Sequence, residues 1–271
     1  LSEGQADFVV LGRSLLADPE WPIKARNGQE DTIRPCILCN EFCLGRIPAA
    51  CMVNPALGRE AEMALVPAST RRRVVVVGGG PGGLEAARGA AARGPEVRLF
   101  DRQEQLGGQL EPSGDAGYKR VLHRLRDQMV DAARRAGAEL VTGTAVDATA
   151  LLAEAPDVVV LATGARPRSG RVTGDAGVLD VFALHGAAGV DVEIGPRVVI
   201  AGGGLNGCDA AVELAARGHR GTLVDRHDRV GRDLNHISRG ALELRLAELG
   251  VELRLGLVVR ELAPTHVLAE G

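Results

Sequence analysis

RVVVVGGGPGGLEAARGAAARGPEVRLFDR, residues 73–102, returns in altered form as RVVIAGGGLNGCDAAVELAARGHRGTLVDR at residues 197–226. Each copy passes through an unbroken apolar run, a glycine-rich turn, an alanine-rich stretch and a second apolar run ending in Asp-Arg. Buried parallel strands read as unbroken apolar runs because helices cover both faces of their sheet. The unit is strand–helix–strand, and its repetition decides the fold class: α/β, with two Rossmann-like dinucleotide-binding folds in tandem.

In the first copy Gly78, Gly80 and Gly83 satisfy G-x-G-x-x-G between a strand and a helix. The three glycines serve a tight turn, bare backbone beside a pyrophosphate, and close helix–strand packing. The helix N-terminus adds free N–H groups and the positive end of its dipole. Asp101 closes the second strand about 20 residues on, where an acid binds ribose hydroxyls. Gly202, Gly204, Gly207 and Asp225 repeat the arrangement. A carboxylate at 225 favours NADH over NADPH because it would repel a 2′-phosphate, whereas the adjacent Arg226 is able to pair with one. Cys208, just after the third glycine of the second copy, reads as a small buried hydrophobe.

Between the copies the pattern predicts a helix over about 117–136 and strands in AELVTGTAV (138–146) and DVVVLATGA (157–165). After the second copy ALELRLAELGVELRLGLVVREL (241–262) predicts a helix and then strands. Ahead of the first copy, ADFVVLGRSLLADPEWPIKARNG (6–28) reads as strand, Gly-Arg turn and helix. The first residue is not Met, the opening is strand-like, and the last strand of the second fold is still owed at THVLAEG, so both ends read as cut from a larger protein.

Four of the five cysteines fall at 36, 39, 43 and 51, giving C-x2-C-x3-C-x7-C. Four thiolates suit a 4Fe-4S cube, one per iron. They also suit structural zinc, although zinc usually takes two C-x2-C-type pairs across a longer span. Three crowded cysteines and one apart favour the cube, and two dinucleotide folds alongside make electron relay the economical explanation. Leu38, Phe42, Leu44 and Ile47 are expected as its apolar shell.

Composition is ordinary for a soluble globular protein. The 271 residues are 45% hydrophobic and 25% charged, with a formal charge of −3 and a pI near 6.1. Nothing there asks for nucleic acid or an anionic membrane as partner. No apolar run reaches the roughly 18 residues of a membrane span. No secretory signal opens the chain, so a reducing cytoplasmic setting is expected, where clustered cysteines are metal ligands or redox groups rather than disulfides.

Taken in order, residues 6–28, the cysteine spacing, CMVNPALGRE (51–60), VVVVGGGPGGLEAA (74–87), LGGQL (106–110) and VVVLATGARPR (158–168) form a recognisable succession. It resembles the NADH:flavin oxidoreductases of the old yellow enzyme class that carry an iron–sulfur cluster, the family of 2,4-dienoyl-CoA reductase and trimethylamine dehydrogenase. The resemblance implies a (β/α)8 barrel holding FMN and a small-molecule substrate, a 4Fe-4S cluster at its edge, then FAD-type and NAD(P)-type folds. By it residues 1–35 are the end of the barrel, 36–63 the cluster segment and 64–72 a linker. Residues 73–190 are the FAD-binding or ADP-binding fold, and 191–271 are an incomplete NAD(P)-binding fold.

Carried over in the same way, Gly12 and Arg13 fall where that family grips the FMN phosphate. Gly82, Asp101, Gln109, Lys119 and Val146 fall at FAD contacts, and Cys36, Cys39, Cys43 and Cys51 at the cluster ligands. The implied activity passes electrons from NADH through FAD and the cluster to FMN, reducing an activated C=C bond. An amine dehydrogenase with ADP in the first fold, or an electron-transfer subunit, are the alternatives. Most of the barrel lies outside these residues, so no catalytic residue is assigned. One departure stands out: the final cysteine gap of seven residues is shorter than the family's.

Overall fold

The computed structural model describes residues 4–114, 119–166, 178–184, 193–263 and 265–271. They divide into two compact units, Leu1–Ala165 and Arg166–Gly271. The expected boundary between the nucleotide folds, at 190/191, lies outside the described residues, as do Pro167 and Arg168 of the VVVLATGARPR stretch.

The first unit opens with short helices α1 (Arg13–Ala17) and α2 (Trp21–Arg26), a 3-10 turn at Glu30–Thr32, and α3 (Glu41–Gly45) inside the cysteine segment. The expected strand in DFVVLG does not form. Phe8 and Val10 are 88% and 95% exposed, and no described strand pairs with this stretch. Apolar character makes a strand only where a neighbour supplies a hydrogen-bonding ladder, and these residues have none.

The nucleotide fold follows as β1 (Arg73–Val77), α4 (Pro81–Ala91), β2 (Glu96–Phe100), α5 (Leu110–Gly114), α6 (Val121–Arg135), β3 (Glu139–Val141), α7 (Ala148–Ala153) and β4 (Val158–Leu161). Its four strands are all parallel, in the order β3-β2-β1-β4, the arrangement of half a doubly wound dinucleotide fold. Val74 and Val76 of β1, Leu99 of β2, and Leu84 and Ala87 of α4 form its core. Each of these valine and leucine side chains stabilises by about 1.5–3 kcal/mol when fully buried. The 138–146 strand is realised only over Glu139–Val141, because the chain turns at Gly143, which has a positive φ of 64°.

The second unit contains α8 (Val181–Leu184), β5 (Arg197–Ala201), α9 (Leu205–Ala216), β6 (Arg220–Asp225), α10 (His236–Glu248), β7 (Glu252–Leu255), β8 (Val258–Leu262) and β9 (Val267–Glu270). Parallel strands β5-β6-β7 form one sheet, and β8 and β9 pair as an antiparallel hairpin. Ile200, Cys208, Leu223, Val230 and Leu246 make its core. Among the described residues no helix is long and apolar enough to cross a membrane.

Candidate functional site

The two glycine turns are built alike. Gly78 and Gly202 sit at φ +106° and +113°, a backbone region that L side chains rarely adopt. The third glycine of each turn packs against the first: a Cβ on Gly83 or Gly207 would stand 1.8 Å from the Gly78 or Gly202 carbonyl oxygen. The turn of the first copy also meets the Ala162-Thr163 segment, since a Cβ on Gly78 would lie 2.3 Å from the Ala162 oxygen. These glycines are required by the fold itself.

Gly80 and Gly82 are different. A Cβ on Gly82 meets nothing within 4 Å, and one on Gly80 only the Gly108 Cα at 3.9 Å. Packing does not require glycine at either position. Both leave bare backbone open at the start of an 11-residue helix, where N–H groups are free to meet an anion. In the second copy Gly204 caps α9, with the Asp233 carboxylate beside it, 3.1 Å from where a Cβ would be.

Each acid reaches back to its own turn. Gly79 N–H donates to Asp101 Oδ2 (2.5 Å) and Gln103 N–H to Asp101 Oδ1 (2.8 Å). Gly203 N–H donates to Asp225 Oδ2 (2.6 Å), and Asp225 Oδ1 accepts from both the His227 backbone N–H and the His227 imidazole Nδ1, each at 2.7 Å. Asp101 keeps a lone pair on each oxygen and Asp225 one on Oδ2. Arg226 points to solvent.

Burial alone would raise the Asp225 carboxyl, but the bonds from Gly203 and His227 outweigh it and hold the group below the usual aspartate range. A depressed folded pKa contributes stability that is complete above the unfolded value and lost as pH falls through the folded one. The second unit should therefore weaken on acidification from the ordinary aspartate range downward. Asp225→Asn should cost about 1.5–3 kcal/mol at neutral pH and flatten that acid limb. Denaturation midpoints of both proteins across the acid range check this. Cys208 is fully buried, its thiol donates to the Gly203 carbonyl (3.3 Å), and burial pushes its pKa up to about 11, so it has no thiolate chemistry near neutrality.

The sequence reading missed that the repeat runs on past Asp-Arg. Gly107 N–H donates to the Gly79 carbonyl (2.8 Å) and Gly231 N–H to the Gly203 carbonyl (2.7 Å), with Leu106 and Val230 buried beneath. The spacing that carries Arg73 to Arg197 also carries Gly107 to Gly231, and that constant register was the available signal. Gln109 is exposed on this loop beside Gly108, which lies against Gly80. Lys119 lies just ahead of α6, and Val146 follows β3, both partly buried.

Cys36, Cys39, Cys43 and Cys51 line a single concavity with Arg13, Leu16, Ile37, Phe42, Met52 and Val53. Two left-handed residues, Leu38 (φ 58°) and Asn40 (φ 56°), turn the chain between the first three thiols. Asparagine tolerates that conformation, whereas leucine there costs about 1–2 kcal/mol. The expected apolar shell is only partly realised: Phe42 lines the concavity, but Leu38, Leu44 and Ile47 face solvent, Ile47 at 99%. The left-handed turn at Leu38 swings its side chain outward, and Ile37, Met52 and Val53 lie at the concavity instead. Gly12 caps α1, and Arg13 donates to the Asn40 side-chain oxygen.

Burial raises the Cys39 thiol, the Glu41 N–H draws it partly back, and Cys43, Cys51 and Cys36 each add to the rise. No described group of three His, Cys, Asp or Glu converges on a point able to hold one metal ion. Structural zinc takes four thiolates about 2.3 Å from one centre, whereas a 4Fe-4S cube takes one thiolate per iron.

The chain is 40% identical over its whole length to an NADH oxidase of Thermoanaerobacter brockii, covering 43% of that protein. It is 36% identical, over 88% of its length, to a cinnamate reductase of Clostridium sporogenes, covering 36% of it. A 2-naphthoyl-CoA reductase solved with 2-naphthoyl-CoA superposes on 99% of the chain at a TM-score of 0.92 and 28% identity, with 41% of that structure covered. The chain thus spans less than half the length of these relatives. Residues 72–270, both glycine turns included, match a single family of enzymes, and the chain belongs to it: the pyridine nucleotide-disulphide oxidoreductases.

Proposed function

We propose that this chain serves an NAD(P)H-dependent flavin oxidoreductase of the iron–sulfur old yellow enzyme class, carrying electrons from NADH through FAD and a 4Fe-4S cluster to FMN for reduction of an activated C=C bond. One observation carries the reading: four thiols line one concavity in the same compact unit as a complete dinucleotide turn. The relatives named cinnamate reductase and 2-naphthoyl-CoA reductase support an enoate-type or acyl-CoA-type substrate.

In this reading each group has its residues. Bare backbone at Gly78, Gly80, Gly82 and Gly83 and the α4 N-terminus take the FAD pyrophosphate, Asp101 its ribose, and Gln109, Lys119 and Val146 complete the contacts. Gly202, Gly204, Gly207 and Asp225 take NADH in preference to NADPH. Cys36, Cys39, Cys43 and Cys51 hold the cluster, and Gly12 with Arg13 the FMN phosphate. When bound, these groups supply hydride donation at the nicotinamide, conversion of an electron pair to single electrons at the flavin, and one-electron relay at the cluster.

An absorption spectrum of the holoenzyme, before and after anaerobic NADH, tests the proposal. Flavin bands that bleach over a broad cluster absorbance are the expected result, with NADPH slower. Stoichiometric zinc without iron sinks the electron relay.

A further inference from the structure

The final cysteine gap is short, yet Cys51 lines the same concavity as the other three thiols. Something must hold it there. Arg34 stands two residues before Cys36, and Val53 two residues after Cys51. Arg34 Nη1 donates to the Val53 carbonyl at 2.7 Å, joining the two ends of the cysteine segment directly. The other arm of its guanidinium, Nη2, reaches Glu85 Oε2 on α4 at 3.5 Å, and the side chain is only 16% exposed.

The arginine is itself anchored. Its backbone N–H donates to Asp18 Oδ2 (2.8 Å), and that carboxylate is buried and paired with Lys24 (2.7 Å). Two further bonds hold the same loop: Asn54 Nδ2 to the Leu16 carbonyl at 2.9 Å, and Ala50 N–H to the Phe42 carbonyl at 3.4 Å. Neither ties the first cysteine's flank to the last one's. A planar fork suits this task, because it holds two acceptors in one fixed plane at little further entropic cost.

We infer that Arg34 is the positioning residue that carries Cys51 to the fourth corner of the cluster site and so makes the short gap workable. This rests on the cluster reading above. It binds no reacting atom; it acts through the backbone two residues beyond the thiol.

The test uses Arg34→Met, which keeps the stem and removes the donors, Arg34→Lys, which keeps one donor, and Cys51→Ala as reference. Iron and acid-labile sulfide per chain, and the electron paramagnetic resonance of the oxidised protein, are measured with bound FAD. Arg34→Met should lose about a quarter of its iron, one corner of the cube, and show the three-iron signal that Cys51→Ala shows. Arg34→Lys should keep most of it, and FAD content should match the parent in all three. A methionine variant with full iron and no three-iron signal overturns the inference. So does one that sheds FAD together with iron, which marks a folding residue. A lysine variant that loses as much iron as methionine rules out the Val53 bond as the cause. If the parent protein itself holds zinc or no cluster, the cluster reading fails before the variants are compared.

Discussion

Under the proposed relay, Cys39→Ala in the full-length protein is expected to abolish electron transfer beyond the flavin while leaving reduction of the flavin by NADH intact. Cys39 lines the concavity with the three other cysteines, so its loss removes one of the four thiols there. Partners outside the first ligand shell already cost 10–100-fold when removed. Removing a ligand should cost more than about 100-fold in turnover measured at the FMN side. The same preparation, assayed with an artificial acceptor that takes electrons at the FAD, should keep its rate within about twofold, since no residue of the glycine turn is touched. A parallel fall in both rates would mean that the cysteine segment holds the nucleotide fold together rather than passing electrons. Stability offers a second reading of the same variant. Loss of a structural zinc should lower the melting temperature sharply, because such a site supplies folding energy outright. Loss of a relay from a unit with its own buried core should lower it much less.

How far the site could be read in the residues depends on whether a feature is local. The glycine turns are local. A positive φ at Gly78 and contact of Gly83 with the Gly78 carbonyl follow from one strand meeting one helix, and a six-residue motif encodes both. The parallel order β3-β2-β1-β4 follows from the same repeat, because right-handed crossovers leave few other arrangements. The cysteine segment is less local. Spacing proposes four ligands, but the direction of Leu38 and Ile47 depends on backbone turns that hydrophobicity does not encode. Arg34 and Asn54 carry no motif and become visible only once their carbonyl partners, on Val53 and Leu16, are in place. The strand expected in DFVVLG failed for the opposite reason: its pattern was right for a ladder, but no described strand supplies one.

The glycines of the first turn allow a sharper experiment, because the structure separates those that the fold requires from those it does not. Gly83→Ala is expected to destabilise the first unit by about 3 kcal/mol or more, at the upper end of the overpacking range. The new methyl group would stand 1.8 Å from the Gly78 carbonyl oxygen, a backbone atom rather than the end of a flexible side chain. Gly78 is tied in turn through its own N–H to the Phe100 carbonyl at 2.8 Å, so relief requires β1, β2 and α4 to separate. The core of Val76, Leu84 and Leu99 beneath them would be opened, and FAD should be lost with the fold. Gly82→Ala should do the reverse. Its methyl group meets nothing within 4 Å, and it replaces a helical glycine, so stability should hold or rise by up to about 1 kcal/mol. If the bare backbone at 82 exists to let a pyrophosphate approach, that more stable protein should bind FAD more weakly by about tenfold or more, the effect of roughly 1.4 kcal/mol of lost contact. Thermal melting and flavin titration of the two variants separate the roles. A Gly82→Ala protein that melts higher and still binds FAD at full strength would remove that glycine from the cofactor site.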